Sequence, residues 1–289
     1  MAFRARIFSV VVLCLPGSLP AVGYAAEVDT EHMFGFMIGS DVGDPGEREV
    51  QSKTTARLSK SGGTYQGISQ ALELEFVPAK NFRVELGGTL AAYNINNVSG
   101  FSDTRRSDFQ GGSAEFRYRF LDRETAPFGL TFGVELHADR LDENTAARVR
   151  AYGTEFVLAV DRELIPDRVV AAFNLLYQPE WTSLAIPGAP IQRESTIGAA
   201  AALMVQVVPG VFLGSEARYL RQYDGIGLGD FSGDAVFIGP TAFVKLSERS
   251  RLTAAWSFQV SGSSTEAAGH LNLADFERHQ ARLIFGVNF

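Results

Sequence analysis

The chain has 289 residues, 46% of them hydrophobic and 20% charged, with 29 glycines and one cysteine. That composition excludes a disordered tail, a collagen-like fibre and a disulfide-stapled small domain. A formal charge of −7 and a pI near 5.2 argue against a nucleic-acid partner, which needs clustered positive charge.

Arg4 and Arg6 precede an apolar stretch from Ile7 to Leu15, then Pro16-Gly17, Pro20 and the small-residue context Gly23-Tyr24-Ala25. This reads as a secretory signal cleaved after about Ala25, leaving 26–289 as one domain. The stretch is too short for a hydrocarbon core, which needs roughly 20 residues. The only cysteine, Cys14, leaves with the signal, so the mature chain needs no disulfide.

Beyond it, turn signals recur every 40 to 45 residues: Pro78-Ala79-Lys80-Asn81, Arg123 to Pro127, Pro166-Asp167, Pro209-Gly210 and Arg249-Ser250. Each interval holds two segments of alternating hydrophobicity, the signature of strands with unlike faces. Val84, Leu86 and Leu90 oppose Arg83, Glu85 and Thr89; Phe116, Tyr118 and Phe120 oppose Glu115, Arg117 and Arg119. Phe132, Val134 and Leu136 oppose Thr131, Glu135 and His137, and Trp256 and Phe258 oppose Ser257 and Gln259. Twelve strands are expected, near 31–40, 64–77, 82–95, 108–121, 127–140, 148–161, 168–180, 194–208, 210–222, 234–247, 250–262 and 276–289. Longer polar loops are expected near 41–63, 96–107, 141–147, 181–193, 223–233 and 263–275. Aromatics cluster where strands meet the short turns, and others, Tyr93 and Tyr152 among them, fall towards the opposite ends.

An even strand number, short turns at one end and longer loops at the other match an all-β, antiparallel, up-and-down transmembrane barrel. A soluble sandwich is the alternative, but its strands are typically about five or six residues long. The ending Leu283, Phe285, Val287, Phe289 resembles the C-terminal strand signal of Gram-negative outer-membrane β-barrel proteins. That resemblance implies a bacterial outer-membrane location; the five tight turns and the half-interval at each end of the repeat lead to the expectation of both termini in the periplasm. The resemblance also implies outer-membrane lipid around the barrel and recognition of Phe289 by the barrel-assembly machinery.

If the apolar face meets lipid, the polar face lines the lumen, because charges facing lipid cost about 2 to 4 kcal/mol at mid-depth. The candidate lining residues are Glu73, Glu75, Arg83, Glu85, Glu115, Arg117, Arg119, Glu135, His137, Asp139, Glu155, Glu216, Arg218, Lys245 and Arg282, with Asp161 and Glu180 as further acids. Acids outnumber bases and the signs interleave, unlike the arginine tracks of porins that resemble the acidic-oligosaccharide channels. The expected function is therefore a channel for small neutral or cationic solutes, of unknown identity. Glu73, Glu75 and Glu85, offset only by Arg83, are expected to set its field. The alternative is a structural or surface-interaction barrel whose charges close the pore.

An enzyme is not expected. None of His32, His137, His270 and His279 is followed two residues later by serine, as in the similar outer-membrane phospholipase A. His137-Ala138-Asp139 is loosely like an omptin pair but reads better as part of a charge lattice. No cofactor or metal is expected, and the glycines of Asp224 to Asp230 read as a surface loop.

Overall fold

The computed structural model describes residues 28–289, so the expected signal and Cys14 lie outside the described residues. Alternation is realised as twelve antiparallel strands: β1 (Arg48–Leu58), β2 (Thr64–Ala79), β3 (Phe82–Asn96), β4 (Thr104–Leu121), β5 (Gly129–Leu141), β6 (Arg148–Ile165), β7 (Val169–Leu184), β8 (Gln192–Val208), β9 (Val211–Asp224), β10 (Asp230–Lys245), β11 (Ser250–Ser264) and β12 (His279–Asn288). Each pairs with its neighbours, and β1 pairs with β12 from Glu49↔Asn288 to Leu58↔His279, closing the barrel. Closure leaves no unpaired edge, the condition for placing strands in a medium without water.

Short turns gather at one end, and three of them contain a left-handed residue that permits the reversal: Asn81 (φ 64), Asp167 (φ 56) and Gly210 (φ 76). The opposite end carries the longer loops 59–63, 97–103, 142–147, 185–191, 225–229 and 265–278. The outward face is apolar and uncovered: Leu72, Leu86, Leu90, Phe116, Phe120, Leu136, Trp256 and Phe258 are all exposed. In water so continuous a patch would be a liability, whereas in lipid it is the solvent-facing surface. On β12, Leu283, Phe285 and Val287 lie on this outer face, and the terminal Phe289 is 68% exposed. Tyr93, in contrast, points inward into a cluster with Tyr65, Ile95 and Leu141 beneath the loops, so it is not part of an outer aromatic belt.

One expected element is overturned. The first strand is Arg48–Leu58, not 31–40, and the expected 41–63 loop shrinks to 59–63. The reason lies in what each segment presents to lipid. Outward positions of β1 include Ser52 and Thr54, so it alternates weakly by hydropathy, yet its inward Glu49, Gln51, Lys53, Thr55 and Arg57 alternate strictly. Residues 31–40 form no strand; they lie inside the barrel, with Met33 and Phe34 buried.

Candidate functional site

Residues 28–41 fold back on themselves in the turn-end half of the lumen. Thr30 closes this loop, donating its N–H to Asp41 Oδ2 at 2.8 Å. Gly39 lies so near the Thr30 carbonyl that a Cβ there would overlap it. The tip, Gly35 to Ile38, reaches the far wall. Glu216 on β9 accepts the N–H groups of Gly35 and Phe36 at 2.7 and 2.8 Å, and the Thr241 hydroxyl at 2.6 Å. Asn174 on β7 brackets Ile38, accepting its N–H and donating to its carbonyl, both at 2.9 Å. Asp161 on β6 accepts the Ser40 N–H and hydroxyl at 2.6 and 2.7 Å and the Thr30 hydroxyl at 2.6 Å. From β11 and β12, Thr253 donates to the His32 carbonyl (2.7 Å) and Arg282 to the Gly35 carbonyl (3.0 Å).

The loop also has an apolar side. Met33, Phe34 and Met37 pack on Val170, Ala172, Ala200, Ala202, Met204, Phe212 and Phe243. Small inward residues on β7 and β8 make the room. Gly35 itself admits no side chain, because a Cβ there would strike Ala255. Phe36 lies between two guanidiniums, with Arg218 4.0 Å and Arg282 4.7 Å from its ring centre.

An ion-pair layer ties this plug to β1–β5. Arg83, 1% exposed, lies 2.7 Å from Glu31, 3.1 Å from Glu75 and 3.3 Å from both Glu85 and Glu115. Arg251 pairs with Glu49, and Arg123 with Asp41 at 2.5 Å. His32 Nε2 lies 3.4 Å from Glu31 and 3.7 Å from Glu75, and the three side chains bring ligand atoms within 4.8 Å of one another. They are the residues best placed to hold a metal, but Arg83 already supplies both carboxylates with positive charge.

Above the plug a cavity of about 550 Å³ runs from Phe34–Ile38 at its floor to Asp142–Asn144 and Asp275–Glu277 at the loop end. Thirteen carboxylates and six lysines or arginines line it. The signs are segregated. Glu135, Asp139, Glu155, Glu180 and Glu194 stand on β5–β8, whereas Lys53, Arg57, Arg218 and Arg282 stand on β1, β9 and β12. At the loop end, 265–278 folds inward and buries Asn272, Phe276 and Glu277. Lys60 anchors this loop, donating to the carbonyls of Ala274 and Asp275, both at 2.9 Å, 5.3 and 5.1 Å from the ring centres of Tyr65 and Phe101. Burial pushes the Lys60 amine down to about 8, against the opposing pull of Glu277 and Asp275.

Of the expected lining residues, Glu73, Arg83, Glu85, Glu115, Arg117, Glu135, His137, Asp139, Glu155, Arg218 and Arg282 border the cavity. Glu75, Arg119 and Glu216 meet the N-terminal segment: Glu75 lies 3.7 Å from His32, Arg119 lies 3.3 Å from Asp41, and Glu216 holds Gly35 and Phe36. Lys245 does not reach the cavity; it sits at the turn-end rim, 2.7 Å from Glu248. The expectation that Arg83 alone offsets Glu73, Glu75 and Glu85 is overturned, because Lys53 lies 2.6 Å from Glu73 and Arg83 serves the other two. On the β5–β8 wall Glu135, Asp139, Glu155, Glu180 and Glu194 have no lysine or arginine within 4.0 Å among the described residues. His137 stands among three of them, 3.9 Å from Glu135, 3.9 Å from Asp139 and 3.7 Å from Glu180. Sequence reasoning missed Glu31, Glu49, Lys53, Arg57 and Glu277. A signal was available for the plug: between Ile197 and Val205 both faces of β8 are apolar, which a water-filled lumen would not require.

A closed, twelve-stranded antiparallel barrel with an apolar exterior and a charged interior defines the class: this is an outer-membrane-type β-barrel. The chain belongs to the Family of unknown function (DUF6662), whose model matches residues 26–289. No functionally curated protein matches the sequence. Among solved structures it is similar to the translocator domain of the autotransporter NalP from Neisseria meningitidis, at 11% identity and a TM-score of 0.51, covering 86% of this chain and 90% of that one. It is also similar to the KdgM porin in complex with disordered oligogalacturonate (9% identity, TM-score 0.46, 83% and 99% covered). A third is the β domain of the Bordetella autotransporter BrkA (14%, 0.47, 85% and 100%). At 11% identity the likeness to the NalP translocator domain concerns the fold alone.

Proposed function

We propose that this protein is an outer-membrane channel for small neutral or cationic solutes, closed at rest by its own residues 28–41. In this reading the short turns and both chain ends face the periplasm and the loops face outward. The observation that carries it is the acid-walled cavity ending on a floor that is a single loop rather than a wall. Hydrogen bonds, the Glu31–Arg83 and Asp41–Arg123 ion pairs and the packing of Met33, Phe34 and Met37 hold that loop, and water can replace the hydrogen bonds at a net cost of about 0.5–1.5 kcal/mol each for neutral pairs and 1.5–3 for charged ones. The barrel strands, by contrast, cannot part. The protein is not proposed to be an enzyme; His137 among its carboxylates acts as part of the charge lattice.

The dense ion pairing around Arg83 favours a second reading, a structural barrel that never opens. Planar-bilayer recording of a full-length Asn174→Ala/Glu216→Gln double variant separates the two. The channel reading expects frequent openings with a reversal potential displaced towards cations at low salt, a displacement that shrinks at high salt. A folded, inserted double variant that passes no current leaves the structural barrel.

A further inference from the structure

We propose that the cavity is a binding site for a small zwitterion, a molecule with an ammonium group at one end and a carboxylate at the other. The wall of β5–β8 takes the ammonium, and Arg218 and Arg282 take the carboxylate. The proposal adds a solute class to the channel reading and rests on it only for the solute's onward movement.

Around the rest of the cavity opposite charges already meet: Lys53 with Glu73, Arg83 with four carboxylates, Arg57 with Glu277 at 3.2 Å. On the β5–β8 wall no lysine or arginine meets the carboxylates among the described residues, and His137 alone stands among them. Glu135 and Glu155 face each other across β5 and β6 with no base between them. Among the described residues Glu155 accepts from Gln178, and Glu180 from Thr182 at 2.5 Å with His137 3.7 Å away. Like charges gathered on one wall repel one another, and a cation held among them offsets that repulsion.

An independent feature points the same way. Gln110 is the bulge residue skipped where the β3–β4 register passes from Thr89↔Gly111 to Leu90↔Phe109. It borders the cavity, is 7% exposed, and its Oε1 has no hydrogen-bond partner. Its neighbour Gly111 pairs with Asp139, so this orphaned acceptor stands beside the acidic wall and calls for a donor that the protein does not supply.

The β9 and β12 side of the cavity shows the converse deficit. Arg218 has no carboxylate within 4.0 Å among the described residues; it donates to Gln280 at 2.5 Å, and its buried Nε has no acceptor. Arg282 spends its donors on the Thr55 hydroxyl and the Gly35 carbonyl, both at 3.0 Å. A simple cation answers one wall and an anion the other. A zwitterion answers both, and about 550 Å³ lies within the roughly 300–1,000 Å³ of small-molecule sites.

The test is calorimetric titration of the full-length protein in detergent micelles with ω-amino acids of increasing chain length, each beside the matching alkylamine and alkylcarboxylate. The expected result is an optimum at one chain length, binding at least tenfold tighter than either monofunctional compound. Arg218→Gln should reduce the best amino acid to the affinity of its amine and leave the amine unchanged. Glu135→Gln/Glu155→Gln should weaken both. Arg282→Gln repeats the carboxylate-side test, and Arg218→Lys should keep most of the affinity, which guards against a loss caused by misfolding. An amine that binds as tightly as the amino acid overturns the proposal in favour of a cation site, and absence of binding by the whole series overturns it outright. Because the assay needs no transport, failure here with conductance intact removes the zwitterion and keeps the channel; binding without conductance does the reverse.

Discussion

Glu216→Gln is the sharpest single perturbation of the plug. The carboxylate holds two backbone N–H groups, Gly35 through Oε1 and Phe36 through Oε2, while Thr241 also donates to Oε1. A glutamine can keep its carbonyl on the side of Gly35 and Thr241, but it then sets an NH₂ against the Phe36 N–H. Of the two bonds to the loop, that from Gly35 changes from charge-assisted to neutral and that from Phe36 becomes a clash of donors, while the Thr241 bond within the wall also becomes neutral. Taking about 1 kcal/mol for the first and about 1–3 for the second gives roughly 2–4 kcal/mol of lost docking energy. That corresponds to an opening equilibrium raised about 30- to 1,000-fold. Because the only cysteine is Cys14, within the expected signal, a Met37→Cys probe would report without background. Met37 is 7% exposed against the β7–β8 wall, so its thiol reacts with an impermeant reagent only when the loop leaves. Labelling should accelerate by that factor in Met37→Cys/Glu216→Gln relative to Met37→Cys alone. Equal rates in two barrels of equal heat-resistant gel mobility would refute the claim that this carboxylate holds the plug.

Gly35→Ala should also release the plug, because its Cβ meets Ala255; the same labelling assay checks it, with Ala255→Gly as the compensating change. Deleting Phe289, whose ring is exposed at the end of β12, should lower membrane insertion without altering the conductance of molecules that do insert, as fractionation and bilayer recording would show. Lys60 should acetylate with an apparent pKa near 8 instead of about 10.4, and Phe276→Ala, which loosens the 265–278 loop, should move it upwards. The docked loop binds fewer protons than the free one between these two values, so its docking should strengthen as pH rises from about 8 towards 10.4 and be constant below 8. Mass-spectrometric labelling across that range measures both.

The barrel was legible in the sequence because the lipid and lumen faces impose a two-residue period that no other element shares. β3 carries it without interruption and β4, β5 and β11 over most of their length, and Asn81, Asp167 and Gly210 mark short turns chemically. The inward direction of Glu115, Glu135, Arg218 and Arg282 follows from the same period. What the period does not contain is partnership across the lumen. Whether Glu73 is free or neutralised depends on Lys53, on a strand whose outward Ser52 and Thr54 hide it from a hydropathy reading. Residues 31–40 mix apolar and polar positions as a strand would, and only the closed barrel decides that Glu216, Asn174 and Asp161 offer them better hydrogen bonds inside than a neighbouring strand could offer at the edge. The sequence by itself determined the wall, because that is a local pattern read against lipid. The tertiary structure alone decided the plug and the segregated charges, because these arise between residues such as Gly35 and Glu216 that are distant along the chain and meet only after the barrel has closed.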